Sequence, residues 1–464
     1  MRILDGKFTL PTLADALRSV TGRVRPSTLE PDTTVSEEAL LRRAERLLSE
    51  QDEALSLALS LSILRSYKEL DRNARRSWLL GVARQFGADL SALKGAAEAF
   101  LADPGETTAA RLQKVAEPRR QELLRRLNHV PGATHALVRM REDIMGASEG
   151  EPSLAALEDD FVHLFSSWFN RGFLQLRRID WTTPATVLEK IIQYEAVHAI
   201  PDWSELRRRI DPPDRRLYAF FHPALGDEPL IFVEVALTTV IPDAIAPLLA
   251  ADRAPIDAAT ATTAVFYSIS NAQRGLSGVA FGDFLIKQVV KELQRELPRL
   301  TRFCTLSPIP GFAHWLQREA ANPESALITK QARRQLALLE RPSWIHKPAA
   351  TAHVNRALLA LAAHYFITAR DKSGRIVDPV ARFHLGNGAR LERINALGDR
   401  SASGLRQSHG LMVNYLYELE AVATNREAFI EKKQVATSAD IRRLASTLPR
   451  QPERGPNMKR SRTS

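Results

Sequence analysis

From residue 36 to about residue 170 the apolar positions recur at three- and four-residue intervals, the spacing of one face of a helix. Ser36, Glu37 and Glu38 open the first such stretch with a capping hydroxyl and early acids, and Leu40, Leu41, Ala44, Leu47 and Leu48 form its apolar face. Further helices are predicted over 53–67, 73–86, 91–101, 107–115 and 117–127, separated by short polar or glycine breaks. Val130-Pro131-Gly132 reads as a turn, and 157–169, with Phe161, Leu164, Phe165, Trp168 and Phe169, as a last, strongly apolar helix. Near Gly172 the period changes. Residues 174–180 alternate as a strand, 184–194 return to a helix, and 216–221, 229–236 and 264–269 are rich in β-branched and aromatic residues, as buried strands are. The last two read as neighbouring central strands. Beyond them the pattern predicts a helical insertion over 323–348, a helix over 355–368, and a strand at 381–391 broken by an Asn387-Gly388 turn. The predicted fold class is α+β and multidomain: an all-α helical N-terminal domain (1–171) for assembly or scaffold, then a mixed α/β domain (172–447). A basic tail (448–464) has the composition of disordered chain.

The most informative stretch runs from Phe266 to Phe312. The strand around Phe266 leads into Gln273-Arg274-Gly275-Leu276-Ser277-Gly278-Val279-Ala280-Phe281-Gly282, which opens a helix with Leu285, Val289, Val290, Leu293 and Leu297 on one face. Strand, glycine loop and helix form a geometry suited to phosphate, since glycine lets the main chain approach and the first helical N–H groups point at an anion. The loop lacks the lysine and hydroxyl pair of a nucleoside-triphosphate loop. After the helix, Pro308 and Pro310 fix a corner with Ser307 at its lip.

Composition changes this picture little. Over 464 residues, 44% are hydrophobic and 25% charged, as in ordinary globular chains, and the length suits two domains. The single cysteine, Cys304, excludes an internal disulfide and, in an apolar run, reads as a packing residue. The formal charge of +10 raises the question of nucleic acid, but the arginines are dispersed in pairs with acids nearby, so no nucleic-acid partner is expected. No stretch reaches the roughly 20 apolar residues of a membrane span, and no secretory or peroxisomal address is evident, so the expectation is a cytoplasmic protein with no membrane partner. No metal-ligand spacing appears, and no metal is expected.

Several motifs carry a resemblance. Gln-Arg-Gly-Leu-Ser-Gly resembles the pyrophosphate loop of the GNAT (acyl-CoA N-acyltransferase) fold. The longer set is similar to the malonyl-CoA decarboxylase family: Phe266-Tyr-Ser-Ile-Ser270, Gly282-Asp-Phe-Leu-Ile-Lys287, Val290 through Glu296, Leu306-Ser-Pro-Ile-Pro-Gly-Phe312, Phe383-His-Leu-Gly-Asn-Gly-Ala389 and Gly410-Leu-Met-Val-Asn-Tyr415. The resemblance implies a GNAT-like catalytic domain converting malonyl-CoA to acetyl-CoA and carbon dioxide without a cofactor, in a homo-oligomer (dimer or tetramer). It also implies that Ser307 and His384 are the catalytic pair, and that Ser277, Gly278, Val279, Ala280, Phe281, Gly282 and Asp283 form the acyl-CoA loop. Ser268 and Tyr417 match positions near the site. Ala280 stands where animal members carry a glutamate. Read without the resemblance, a lone histidine such as His384 and a serine before proline such as Ser307 are more often structural, and an acyltransferase on the same fold or a basic helical binding protein stays open.

Overall fold

The computed structural model describes residues 36–145, 151–279, 284–323, 325–371 and 373–448. Ala280, Phe281, Gly282 and Asp283, and the tail from residue 449, lie outside the described residues. Helices span Glu37–Ser49, Glu53–Glu69, Arg72–Gln85, Leu90–Ala102, Glu106–Ala116, Arg119–Leu127, Ala133–Met145 and Pro152–Trp168. Their starts are written in the sequence: the side chains of Ser36, Asp52, Asp71 and Asp89 each accept a backbone N–H of the first turn. The helix Ala133–Met145 was not singled out by periodicity, and it turns out to carry the contacts to the glycine loop.

An eight-stranded sheet follows: β1 (Gln175–Ile179), β2 (Arg215–Phe221), β3 (Pro229–Thr238), β4 (Thr263–Asn271), β5 (Arg302–Thr305), β6 (Ser307–Pro308), β7 (Arg390–Asn395) and β8 (Met412–Leu416). The order is β1-β2-β3-β4-β5-β8-β6, with β7 also paired to β8. Only β4 and β5 run parallel. They are joined through the loop and the helix Phe284–Glu296, because parallel neighbours need a crossover. Their pairing stops at Phe266 and Thr305, so residues 267–271 of β4 run on without β5 beside them. This mixed sheet, behind a helical region and opened beside its central parallel pair, is the GNAT-like arrangement expected.

One apolar cluster runs from Leu40, Leu47, Trp78 and Leu137 of the helical region into Phe220, Val235, Phe266 and Tyr415 of the sheet. The two parts share a core rather than touching at a polar seam. Cys304 is fully buried in a second cluster with Ala236, Val265, Tyr267, Leu306 and Met412, and burial pushes its thiol up to about 12, as a packing residue requires.

One expectation is corrected. Residues 379–386 are helix (Pro379–Gly386), so His384 sits on the last turn of a helix and not at a strand end. Asp378 caps it by accepting from Ala381 N at 2.8 Å, Pro379 presets the first turn, and the returning strand begins only at Arg390. The strand β4 also carries a bulge. Phe266 pairs with Val235 and Ser268 with Glu234, leaving Tyr267 as a bulge. Simple alternation would put Ser268 on the face of Phe266; the extra residue turns it to the other face, toward Glu195.

Candidate active site

Strand period places the first residues. Thr305 and Ser307 lie two apart where β5 gives way to β6, and Tyr415 and Tyr417 two apart along β8 and just past its end. The helix Pro379–Gly386 then brings His384 between them. Its Nε2 is 3.4 Å from Ser307 Oγ, and its Nδ1 is 2.8 Å from the Tyr417 hydroxyl. Ser307 Oγ also lies 2.9 Å from Thr305 Oγ1. Tyr415 stacks on the imidazole with ring centroids 4.7 Å apart. The result is one chain of side chains, Thr305, Ser307, His384 and Tyr417, all of them buried.

Burial sets its protonation. Among the described residues His384 has no carboxylate partner, and burial pushes its imidazole down to about 3, so it is neutral over the physiological range. Burial likewise drives Tyr417 well above the usual phenol range, so its O–H stays on. That hydroxyl has His384 Nδ1 as its partner; donation from oxygen to Nδ1 satisfies the buried proton, whereas the reverse leaves it stranded. The favoured tautomer therefore carries its hydrogen on Nε2, aimed at Ser307. At the start of the same helix, Asp378 is fully buried and burial raises its carboxyl to about 6; the Tyr365 hydroxyl approaches it at 3.4 Å.

The glycine loop begins with a short turn, Arg274–Leu276. Gly275 is pressed against the helix Ala133–Met145: a Cβ there would lie 2.1 Å from the Val138 carbonyl oxygen. Gly278 has φ +80°, the left-handed region that favours glycine. Ser277 and Gly278 are open to solvent, and Val279 is buried.

Of the residues singled out from the sequence, Ser307, His384 and Tyr417 come together. Ser277, Gly278 and Val279 lie on the loop that leaves β4. Ser268 is not part of this group; its hydroxyl donates to Glu195, within 2.9 Å of both carboxylate oxygens, beside Ser270. Thr305 and Tyr415 were missed, although each lies two residues along the chain from a named position. Among the described residues no cluster of three or more histidine, cysteine or acidic side chains could hold a metal ion. No described helix is long and apolar enough to cross a membrane.

Residues 172–455 match the family described as malonyl-CoA decarboxylase C-terminal domain, and residues 86–169 the malonyl-CoA decarboxylase N-terminal domain. The chain belongs to the malonyl-CoA decarboxylase family. It is 36% identical over 417 residues to the mitochondrial malonyl-CoA decarboxylase of Anser anser anser, covering 82% of each chain. Crystal structures of malonyl-CoA decarboxylase are similar to it over most of its length. That from Rhodopseudomonas palustris has a TM-score of 0.85 at 56% identity, covering 88% of this chain and 99% of that one. That from Agrobacterium vitis has a TM-score of 0.83 at 53% identity, with the same coverage. Membership in the malonyl-CoA decarboxylase family makes the chain a decarboxylase, a carboxy-lyase.

Proposed function

We propose that the protein converts malonyl-CoA to acetyl-CoA and carbon dioxide, with His384 and Ser307 at the reacting carbons and the loop from Ser277 to Asp283 against the coenzyme A phosphates. The single observation that carries the reading is the buried chain linking Ser307, His384 and Tyr417. It lies where β5 gives way to β6, beside the strand that feeds the glycine loop.

The chemistry needs no electron sink beyond the substrate. The bond between the α-carbon and the carboxylate breaks, its electron pair moves into the thioester as an enolate, and carbon dioxide leaves. One proton must then reach the α-carbon. An enolate is basic enough to take it from a neutral donor, and His384 Nε2–H is that donor in this reading. As it leaves, the Tyr417 proton moves along its hydrogen bond to Nδ1, and water restores it after product release. Ser307, held between Thr305 and His384, fixes the departing carboxylate out of the plane of the carbonyl. Before the proton moves, Nε2–H also stabilises the enolate oxygen in a site from which burial excludes competing water. The enclosed, uncharged imidazole supports this reading, since a protonated one would have no lone pair on Nδ1 to accept the Tyr417 hydroxyl.

The test is release of acetyl-CoA and carbon dioxide from malonyl-CoA by the full chain, beside His384→Ala and Ser307→Ala. Turnover that each substitution lowers by about 10²-fold or more is the expected result. Wild-type rates in both variants would remove the pair from the mechanism.

A further inference from the structure

The glycine loop does not stand alone. It is gripped from a part of the chain more than 130 residues away, by two adjacent side chains of the helix Ala133–Met145. Arg141 Nη1 donates to the Gly275 carbonyl at 2.7 Å, and the Gly275 N–H donates to Glu142 Oε1 at 3.1 Å. Both polar groups of one peptide residue are therefore taken by the helical region. Between them the Val138 carbonyl lies so close that no side chain fits at Gly275. Arg141 also reaches the next glycine: a Cβ at Gly278 would be 3.9 Å from its Nη2.

Arg141 is an expensive residue for a scaffold. It is 2% exposed and, among the described residues, it pairs with the Glu158 carboxylate at 3.5 Å while its Nε has no hydrogen-bond partner. A buried guanidinium with an unused donor destabilises a fold unless its remaining contacts do something else. Glu142 is itself oriented, since Arg139 donates to both its oxygens at 3.0 Å. The arrangement holds the backbone between Gly275 and Gly278 at a set height above the helix, with Ser277 and Gly278 facing solvent. Main-chain N–H groups bind an anion only when they converge, and an unsupported glycine loop pays the full ordering entropy on binding.

We propose that Arg141 and Glu142 are positioning residues for acyl-CoA binding: they pre-order the glycine loop from the helical region, and so set affinity for the nucleotide diphosphate part of the thioester rather than the rate at the malonyl carbons. The inference rests on the reading that this loop meets the coenzyme A phosphates.

The experiment compares full-length wild type with Glu142→Gln and Arg141→Lys on two substrates, malonyl-CoA and malonyl-pantetheine, which lacks the nucleotide and its phosphates. Glu142 is partly exposed, and its amide isostere keeps the fold; melting temperature is recorded for each variant. Expected are a rise in KM for malonyl-CoA of about 10-fold with kcat within about threefold, and kcat/KM for malonyl-pantetheine within about twofold of wild type. Acetyl-CoA affinity by calorimetry should weaken by the same factor as KM rises. A loss of equal size on both substrates, or an unchanged KM and affinity in both variants, overturns the proposal. If wild type itself uses the two substrates equally well, the phosphate reading of the loop fails and takes this inference with it. If wild type turns over neither while acetyl-CoA still binds, the reaction reading fails and the calorimetry decides the clamp.

Discussion

The Tyr417 hydroxyl lies 2.8 Å from Nδ1 of His384, and among the described residues that nitrogen is the acceptor for its buried proton. A phenylalanine there keeps the ring and loses the donor. Tyr417→Phe should lower kcat on malonyl-CoA by about 10- to 100-fold with KM nearly unchanged, the usual cost of removing an outer partner of a catalytic imidazole. Steady-state kinetics on the purified variant check it. A kcat equal to wild type would mean that His384 needs no help in choosing its tautomer.

The pH dependence of activity follows from the burial of the same imidazole. His384 is pushed down to about 3 in the free protein, so it is already neutral at pH 5 and stays so through pH 8. The profile of kcat/KM reports free-enzyme ionisations, and it should show no acid limb between pH 5 and 8 that disappears in His384→Asn. Such a limb near 6.5 would show a titrating imidazole and a mechanism that starts from the cation.

Stability should carry the complementary signature. Unfolded His384 takes up its proton as pH falls through 6.5, while the folded chain resists until about 3. The unfolded state therefore binds more protons within that window, and wild-type stability falls as pH drops through it. The contribution of this residue is complete above the upper value and has a slope of about 1.4 kcal/mol per pH unit inside the window. Denaturant unfolding of wild type and His384→Asn from pH 7 to pH 4 should give difference curves with that sign. Parallel curves would contradict it.

Cys304 offers a simpler check. Its thiol is fully buried and raised to about 12, so aromatic disulfide reagents should label it only after denaturation. Cys304→Ala should retain kcat within about threefold, at a cost of about 1–2 kcal/mol from the small void. Rapid labelling of the native protein, with loss of activity, would make it a functional thiol.

Legibility from sequence tracked distance along the chain. Helical period and side-chain caps are local, so Ser36, Asp52 and Asp71 mark their helices correctly. The strand around Phe266 and the helix after the glycine loop were readable for the same reason. The segment around His384 was misread because Phe383 and Leu385 flank a polar residue as in a strand and lead to an Asn-Gly turn, and that signal masked the helix start at Asp378 and Pro379. The bulge at Tyr267 had no signal in β4 itself, because it depends on the pairing with β3. Arg141 and Glu142 had no local signal at all. Their meaning arises only where Gly275 is folded against them.

The apolar cluster that passes unbroken from Trp78 and Leu137 into Phe266 and Tyr415 has a practical consequence for anyone dividing this chain. A fragment beginning at residue 172 would leave raw the surfaces that the helices now cover, and would remove Val138, Arg141 and Glu142 from beneath Gly275. Such a truncation is expected to precipitate rather than persist as a weaker enzyme, and heating the intact chain should melt helices and sheet in a single cooperative step.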